Sequence, residues 1–288
     1  MSTSNQRINL RIEGDRPTWF FDAGVRYATV PAWFGHVTRD LKLDIFYPET
    51  STGRYPCIVW ICGGGWTQMD RSAHAAYLAG LACDGFVVAS VDYRLTHEAP
   101  FPAPLEDIKA AVRWLRAHAG RYAIDPERFG VMGESAGGYL SGMLAVTGAV
   151  REFDVGEYLD ESSAVQAAVP WYMPSDFVNG WVSDAAAGDT VTRRLFGGQH
   201  PADGPEVARR VTPQAYVGPD TPPFLLIHGT ADQVVPIEQS ETMLAALSAA
   251  GVPATLLAIE GSDHADTPFY QPALWEHIKH FFHETLDR

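Results

Sequence analysis

A glycine-rich segment carries a serine in a setting that suits nucleophilic chemistry. Residues 133–138 read Gly-Glu-Ser-Ala-Gly-Gly, with an apolar run before them at 129–132 and a helix-like run after them at 139–146. In a strand, sharp turn and helix of this kind the serine hydroxyl projects above the sheet, because the flanking glycines let the backbone close. The pattern predicts that Ser135 is a nucleophile. A glycine- and serine-rich loop without chemistry is the alternative, which the flanking strand and helix disfavour.

A serine nucleophile needs a base that removes its proton and an acid that orients the base. With this motif the acid and then the histidine follow the serine along the chain, each after a strand. Asp232 follows the apolar run 224–227, and His264 follows the run 255–259. The order Ser135, Asp232, His264 therefore predicts a Ser-His-Asp triad.

Other residues compete for these roles. Asp176, after the apolar run 165–171, is the rival acid, whereas Asp263 adjoins His264 too closely to orient its ring. Three histidines recur at every third position near the end of the chain: His277, His280 and His283. Such steps drift around a helix and no zinc-site signature accompanies them, so we expect a solvated face and no metal.

A second glycine-rich loop is suited to stabilising negative charge. Residues 62–66 read Cys-Gly-Gly-Gly-Trp and follow the apolar run 58–61. Backbone N–H groups in such a loop can point at a developing oxyanion. We expect one donor from Gly64 or Gly65 and another from Ala136, the residue after the nucleophile. A phosphate-binding loop is the alternative, but it would end in Lys followed by Ser or Thr.

The elements that must position these residues alternate along the chain. Short apolar runs bounded by turn residues predict six buried strands at 58–61, 86–91, 129–132, 165–171, 224–227 and 255–259. Helical stripes lie between and after them, with Leu105, Leu244 and Leu274 among their apolar positions and Gly251 ending the second. The alternation predicts an α/β protein: a mostly parallel central sheet with helices on both faces. The first 55 residues or so are expected to add antiparallel strands at an edge.

The stretch 150–222 interrupts this alternation, because it is irregular, acidic and rich in aromatic residues. We expect one domain over residues 1–288 with this stretch as a small cap, since long insertions in compact domains are often functional lids. An edge elaboration that never meets substrate is the alternative. Four aromatic residues are candidates to bind substrate, with core packing equally open for each: Trp66, Trp171, Tyr172 and Trp181.

The composition limits the partners and the compartment. The 288 residues are 46% hydrophobic and 19% charged, which is typical of a globular protein with a sizeable core. The net charge of −14 disfavours nucleic acid and anionic membranes as partners. No apolar run approaches the roughly 20 residues of a membrane helix. A polar start without an apolar signal core, and only three cysteines, predict a cytoplasmic protein.

Taken together, these motifs resemble serine esterases of the α/β-hydrolase fold, in the hormone-sensitive-lipase-like group, and in particular the bifunctional feruloyl and acetyl-xylan esterases. The stretches that carry the resemblance run from about residue 24 to the end: 62–66, 91–95, 101–104 leading to Asp107, 133–138, 232–236 and His264. One departure stands out, because Cys62 replaces the histidine of the family's usual His-Gly-Gly-Gly. A thiol is a weak donor, so the loop must be held by other contacts.

The resemblance implies a carboxylesterase without metal or organic cofactor, acting on short-chain acyl esters such as acetyl or feruloyl esters of carbohydrates. Its partner would be a small-molecule or oligosaccharide ester, and a homo-oligomer stays open. An amide hydrolase of the arylformamidase type shares the loop and the triad and is the first alternative. A non-catalytic ligand-binding α/β-hydrolase is the second, although such proteins lose a triad member and all three are present here.

Overall fold

The chain folds around one eight-stranded sheet in the computed structural model, which describes residues 7–14, 16–32, 35–51, 53–178, 190–199 and 204–287. The strands are β1 (Trp19–Ala32), β2 (Val37–Pro48), β3 (Tyr55–Ile61), β4 (Val87–Val91), β5 (Ile124–Glu134), β6 (Ala167–Trp171), β7 (Phe224–Gly229) and β8 (Ala254–Ile259). The helices are α1 (Ala75–Cys83), α2 (Ala103–Ala117), α3 (Ala136–Val146), α4 (Thr190–Leu195), α5 (Pro205–Val211), α6 (Glu238–Ala249) and α7 (Pro272–Leu286). None of the described helices combines the length and hydrophobicity needed to cross a membrane.

The strand order places the carboxyl ends of the parallel strands at one edge of the sheet. The order is β1-β2-β4-β3-β5-β6-β7-β8, and the ladders from β4 through β8 are parallel. Strands β1 and β2 pair antiparallel, and β2 pairs antiparallel with β4. The predicted α/β architecture with an antiparallel edge is therefore confirmed. Loops that follow β3, β5, β7 and β8 meet at the same end of the sheet.

All six predicted strands are present, with shifted ends. Strand β5 begins at Ile124, well before the predicted 129, because the polar residues Asp125 and Arg128 gave no apolar signal. Helices α2, α6 and α7 occur where stripes of apolar residues predicted them. Gly251 has a φ of 73° just beyond the end of α6, the left-handed conformation expected of a glycine after a helix.

Strand β3 is apolar at every position from 57 to 61 because both of its faces are buried. Cys57, Val59 and Ile61 face a core shared with α2 and α3, whereas Ile58 and Trp60 face a second core shared with α1 and α7. All five side chains are fully buried. A strand covered by helices on both faces needs apolar residues on both, so alternation is lost.

The stretch 150–222 is divided among several places in the fold. Its first part lies against α2, where Asp154 forms buried ion pairs with Lys109 at 3.2 Å and Arg113 at 3.1 Å. Its middle supplies β6, a strand in the interior of the sheet. Farther along, Val191 of α4 approaches the glycine-rich loop after β3. A cap over the site stays a prediction, since residues 179–189 and 200–203 lie outside the described part.

Candidate active site

Ser135 occupies a strained turn between β5 and α3. Its φ of 52° and ψ of −117° are unfavourable for a residue with a side chain, as expected where a fold holds a functional group in place. Close packing explains the glycines around it. A Cβ on Gly133 would lie 2.5 Å from the carbonyl oxygen of Gly137. The turn therefore forms only with these small residues, and it aims the serine hydroxyl away from the sheet.

The structure brings the three predicted triad residues into one hydrogen-bonded chain. His264 Nε2 lies 2.9 Å from Ser135 Oγ, and His264 Nδ1 lies 2.7 Å from Asp232 Oδ2. The residues come from loops after β5, β7 and β8, whose carboxyl ends share one edge. With the Nδ1 proton donated to Asp232, Nε2 is free to accept the serine proton.

Asp232 is held as a carboxylate by several donors. Its Oδ1 accepts the backbone N–H groups of Val234 and Val235, both at 2.8 Å, and His228 Nε2 lies 3.3 Å from Oδ2. Burial alone would raise the pKa of Asp232, but the hydrogen bonds from His228, His264 and Val235 outweigh it. The pKa of Asp232 therefore lies well below its ordinary range.

His228 is a residue that sequence reasoning missed. Its Nδ1 lies 2.7 Å from the hydroxyl of Ser240 and its Nε2 lies 2.8 Å from the carbonyl oxygen of Val235. It is fully buried at the end of β7, four residues before Asp232. That spacing was the available signal, since a histidine four residues before an aspartate across a loop can donate a hydrogen bond to its carboxylate.

The rival acids lie elsewhere. Asp263 Oδ1 accepts the backbone N–H groups of Gln233 at 2.9 Å and of His264 at 2.7 Å, so it shapes the loop without orienting the ring. Asp176 Oδ1 accepts the N–H of Val178 at 3.0 Å. Among the residues that the structure describes, Asp232 is the carboxylate on the imidazole.

The glycine-rich loop after β3 faces the same space as the triad. Gly64 and Gly65, with φ values of 119° and 59°, line a cavity of about 370 Å³ together with Ala136, Ser135 and His264. The three predicted oxyanion donors thus line the same cavity as Ser135. Ala136 begins α3, so its N–H has no partner inside the helix. Such unpaired N–H groups suit a developing negative charge.

Four aromatic residues were predicted to bind substrate, and among those that the structure describes only one lines this cavity. Trp66 does so. Trp171 is fully buried at the end of β6 against Trp60, and Tyr172 is fully buried behind His264, so both predictions need correction. Trp181 lies outside the described residues. The remaining wall is largely apolar and comprises Pro174, Val191, Val234, Val235 and Ala265.

Glu134, between Gly133 and Ser135, contacts side chains that pack behind His264. Its Oε2 accepts the hydroxyl of Tyr172 at 2.7 Å and that of Tyr270 at 3.3 Å. Burial and the nearby Glu134 carboxylate raise the pKa of Tyr172 well above its ordinary value, so the phenol stays a donor. The Tyr172 ring packs 4.5 Å from the His264 ring. Glu134 and Tyr172 are therefore positioning residues behind the imidazole.

Tyr172→Phe is expected to destabilise the fold by about 1–3 kcal/mol, because it leaves the buried Glu134 carboxylate without its shortest hydrogen bond. The ring against His264 remains, so esterase turnover should fall by less than about tenfold. Chemical denaturation and turnover of p-nitrophenyl acetate check both. Tyr270→Phe is the matched control, and its longer contact predicts a smaller loss of stability. A larger loss in the control would contradict the assignment.

The loop after β3 is held by contacts that replace the missing histidine. The hydroxyl of Tyr93 donates to the carbonyl oxygen of Cys62 at 2.9 Å. Cys62 Sγ lies 3.8 Å from Glu134 Oε1. Burial raises the pKa of the Cys62 thiol to about 11, so the thiol is the donor. The backbone after β3 is therefore tied to both β5 and the segment after β4.

The sheet is mostly parallel, a serine sits at a strand-turn-helix, and an aspartate and a histidine follow later strands. This is the arrangement of the α/β-hydrolase fold, which the structurally similar carbohydrate esterase also has. Within that class, residues 43–247 match the BD-FAE family, and the chain belongs to that family. The resemblance inferred from the sequence motifs is confirmed.

Solved structures and curated relatives agree with this assignment. A "Truncated form of carbohydrate esterase from gut microbiota" is 31% identical, with a TM-score of 0.83 over 96% of this chain and 99% of that one. A "Bifunctional GH43-CE" protein of Bacteroides eggerthii is 30% identical, with a TM-score of 0.80 over 92% of this chain and 35% of that one. The "Probable carboxylic ester hydrolase LipM" of Mycobacterium tuberculosis is 30% identical over 225 residues, 72% of this chain and 48% of LipM. The chain thus spans about half the length of the curated relatives it matches.

Proposed function

We propose that this chain is a serine carboxylic-ester hydrolase that uses Ser135 as nucleophile, His264 as general base and Asp232 as the orienting acid. The single observation that carries the proposal is the continuous chain of hydrogen bonds at 2.9 and 2.7 Å from Ser135 through His264 to Asp232. That chain opens onto a cavity bordered by Gly64, Gly65 and Ala136. A base in contact with a hydroxyl, beside backbone donors, is the arrangement that acyl transfer requires.

The proposed reaction has two halves. Ser135 Oγ attacks the ester carbonyl carbon while its proton passes to His264 Nε2, and the N–H groups of the glycine loop and Ala136 stabilise the oxyanion. The carbon–oxygen bond to the alcohol breaks as His264 returns the proton to the departing oxygen. Water then attacks the acyl-enzyme by the same route and releases the acid. Every proton is supplied and recovered by His264, so no cofactor takes part in these steps.

Short acyl groups on carbohydrates are the proposed substrates. The cavity of about 370 Å³ is small, and valine, proline and alanine side chains form much of its wall. Carbohydrate esterases among the similar structures support a sugar as the alcohol. We also propose that the stretch 150–222 contributes a cap through α4, because Val191 of α4 lines the cavity and would lie 3.7 Å from a Cβ on Gly65. The net charge of −14 disfavours anionic substrates.

The test is hydrolysis of p-nitrophenyl acetate, butyrate and octanoate and of methyl ferulate, by the wild type and by Ser135→Ala. We expect turnover of the acetate that disappears in the variant, with rates falling toward octanoate. The ferulate arm separates a feruloyl esterase from a deacetylase.

A folded wild type that cleaves none of these esters would contradict the proposal. N-formylkynurenine would then test the amide hydrolase, and absence of turnover there would favour a binding role. If octanoate were the preferred ester, the proposed preference for short acyl groups would be wrong, whereas the proposed ester hydrolysis would stand.

A further inference from the structure

A thiol, an imidazole and a carboxylate converge behind Ser135. Cys62 Sγ lies 3.8 Å and His74 Nε2 lies 3.6 Å from Glu134 Oε1, and all three atoms lie within 4.8 Å of one another. Ligand atoms that surround one zinc ion tetrahedrally at about 2.0–2.3 Å are separated from each other by about 3.3–3.8 Å. The two separations from Glu134 Oε1 are therefore close to those of ligands sharing an ion.

The carboxylate in this cluster has no permanent counter-charge nearby. Glu134 is 8% exposed, and its contacts are hydroxyl groups, a thiol and an imidazole. Within the described ranges no lysine or arginine forms an ion pair with it. Buried carboxylates are normally paired with a cation or coordinate a metal. A bound cation would supply the charge that the protein side chains do not.

The surroundings are arranged as a preformed site. The His74 ring stacks on Tyr270 with centroids 5.6 Å apart and packs against Trp60 at 5.2 Å, which fixes its orientation. The Tyr270 hydroxyl lies 3.3 Å from both His74 Nε2 and Glu134 Oε2, so it helps to hold both side chains in place. Glu134 is also among the residues that border the cavity beside Ser135.

We propose that Cys62, His74 and Glu134 bind a divalent cation of the zinc class. A thiolate, an imidazole and a carboxylate form a ligand set that suits zinc, whereas magnesium and calcium prefer oxygen ligands alone. On binding, the Cys62 thiol loses its proton to solvent and its sulfur forms a bond to the ion. The ion takes no part in the acyl transfer proposed above; it would bind Glu134 Oε1, while the Tyr172 hydroxyl donates to Oε2.

Cobalt(II) titration of the intact protein tests this site, because a cobalt–thiolate bond gives a strong near-ultraviolet absorption. We expect a band that saturates at one equivalent of Co²⁺ in the wild type and is displaced by Zn²⁺. Cys62→Ser should abolish the band. Cys83→Ser is the matched control, since Cys83 is an exposed thiol outside the cluster, and it should leave the band unchanged.

Two results would overturn the proposal. One is a wild type without a saturable band, and the other is a band that survives in a folded Cys62→Ser variant. If Cys62→Ser does not fold, His74→Gln retains the thiol and should weaken Co²⁺ binding at least about tenfold. Unchanged affinity in that variant would also overturn it. The titration does not measure turnover, so its outcome is separate from that of the esterase assay.

Discussion

Gly137→Ala is expected to lower esterase activity at least about 100-fold and to lower the yield of folded protein. A Cβ at this position would lie 2.0 Å from the carbonyl oxygen of Ile61 and 2.8 Å from that of Cys62. Both atoms belong to backbone at the end of β3, so no side chain can rotate to make room. Relief requires α3 to move away from the sheet, and α3 begins with Ala136, a proposed oxyanion donor.

The expected magnitudes follow from that displacement. Overpacking against backbone costs about 1–3 kcal/mol or more of the free energy of unfolding. Losing one oxyanion donor lowers the rate about 10²–10³-fold. Thermal unfolding and turnover of p-nitrophenyl acetate measure the two effects.

Gly80→Ala is the control for this experiment. Gly80 is exposed in α1, and a Cβ there would meet nothing within 4 Å. The change should raise stability by about 0.5–1 kcal/mol, because alanine favours a helix more than glycine does. A Gly137→Ala protein with wild-type unfolding temperature and turnover would show that α3 does not need this close approach.

The triad was predictable because its geometry follows from chain order. Parallel strands end at one edge, so residues placed after β5, β7 and β8 must meet once the sheet has formed. The elbow around Ser135 is likewise local, since the glycines that permit it lie within two residues. Such signals need no knowledge of which distant side chains touch.

The network behind the triad was not predictable for the opposite reason. Glu134 draws its partners from four distant places in the chain: Cys62, His74, Tyr172 and Tyr270. No spacing in the sequence marks a carboxylate that collects hydroxyl groups from separate loops. Trp171 and Trp66 also show that the sequence alone does not reveal which side chains meet. Trp171 ends β6 and Trp66 follows β3, so their positions in the sequence are similar. The register of β6 turns Trp171 into the core, whereas Trp66 borders the cavity.

Asp232→Asn is expected to lower kcat about 10⁴-fold while the fold is retained. An asparagine can present its N–H₂ group to His264 Nδ1 and so stabilise the tautomer with the proton on Nε2, which cannot accept the serine proton. The amide is also neutral, so it does not stabilise the imidazolium that forms in the transition state. Steady-state kinetics with p-nitrophenyl acetate measure the loss.

Asp263→Asn is the matched control for the kinetic effect. Asp263 accepts only backbone N–H groups among the contacts described, and an asparagine oxygen can accept them equally. Its turnover should stay within about tenfold of the wild type. Equal losses in the two variants would mean that the shape of the loop, rather than the contact with the imidazole, limits the reaction.

Asp232→Asn should also weaken the dependence of the free energy of unfolding on pH in the acidic range. Because the pKa of Asp232 is lower in the folded protein than the value of about 3.9 in an unfolded chain, its ionisation stabilises the fold at neutral pH. That contribution is complete above about pH 4 and is lost as the pH falls through the folded pKa. Asp232→Asn should thus be less stable than the wild type at pH 7, with the difference shrinking below about pH 4. Unfolding curves across this range would contradict the assignment if the difference stayed constant.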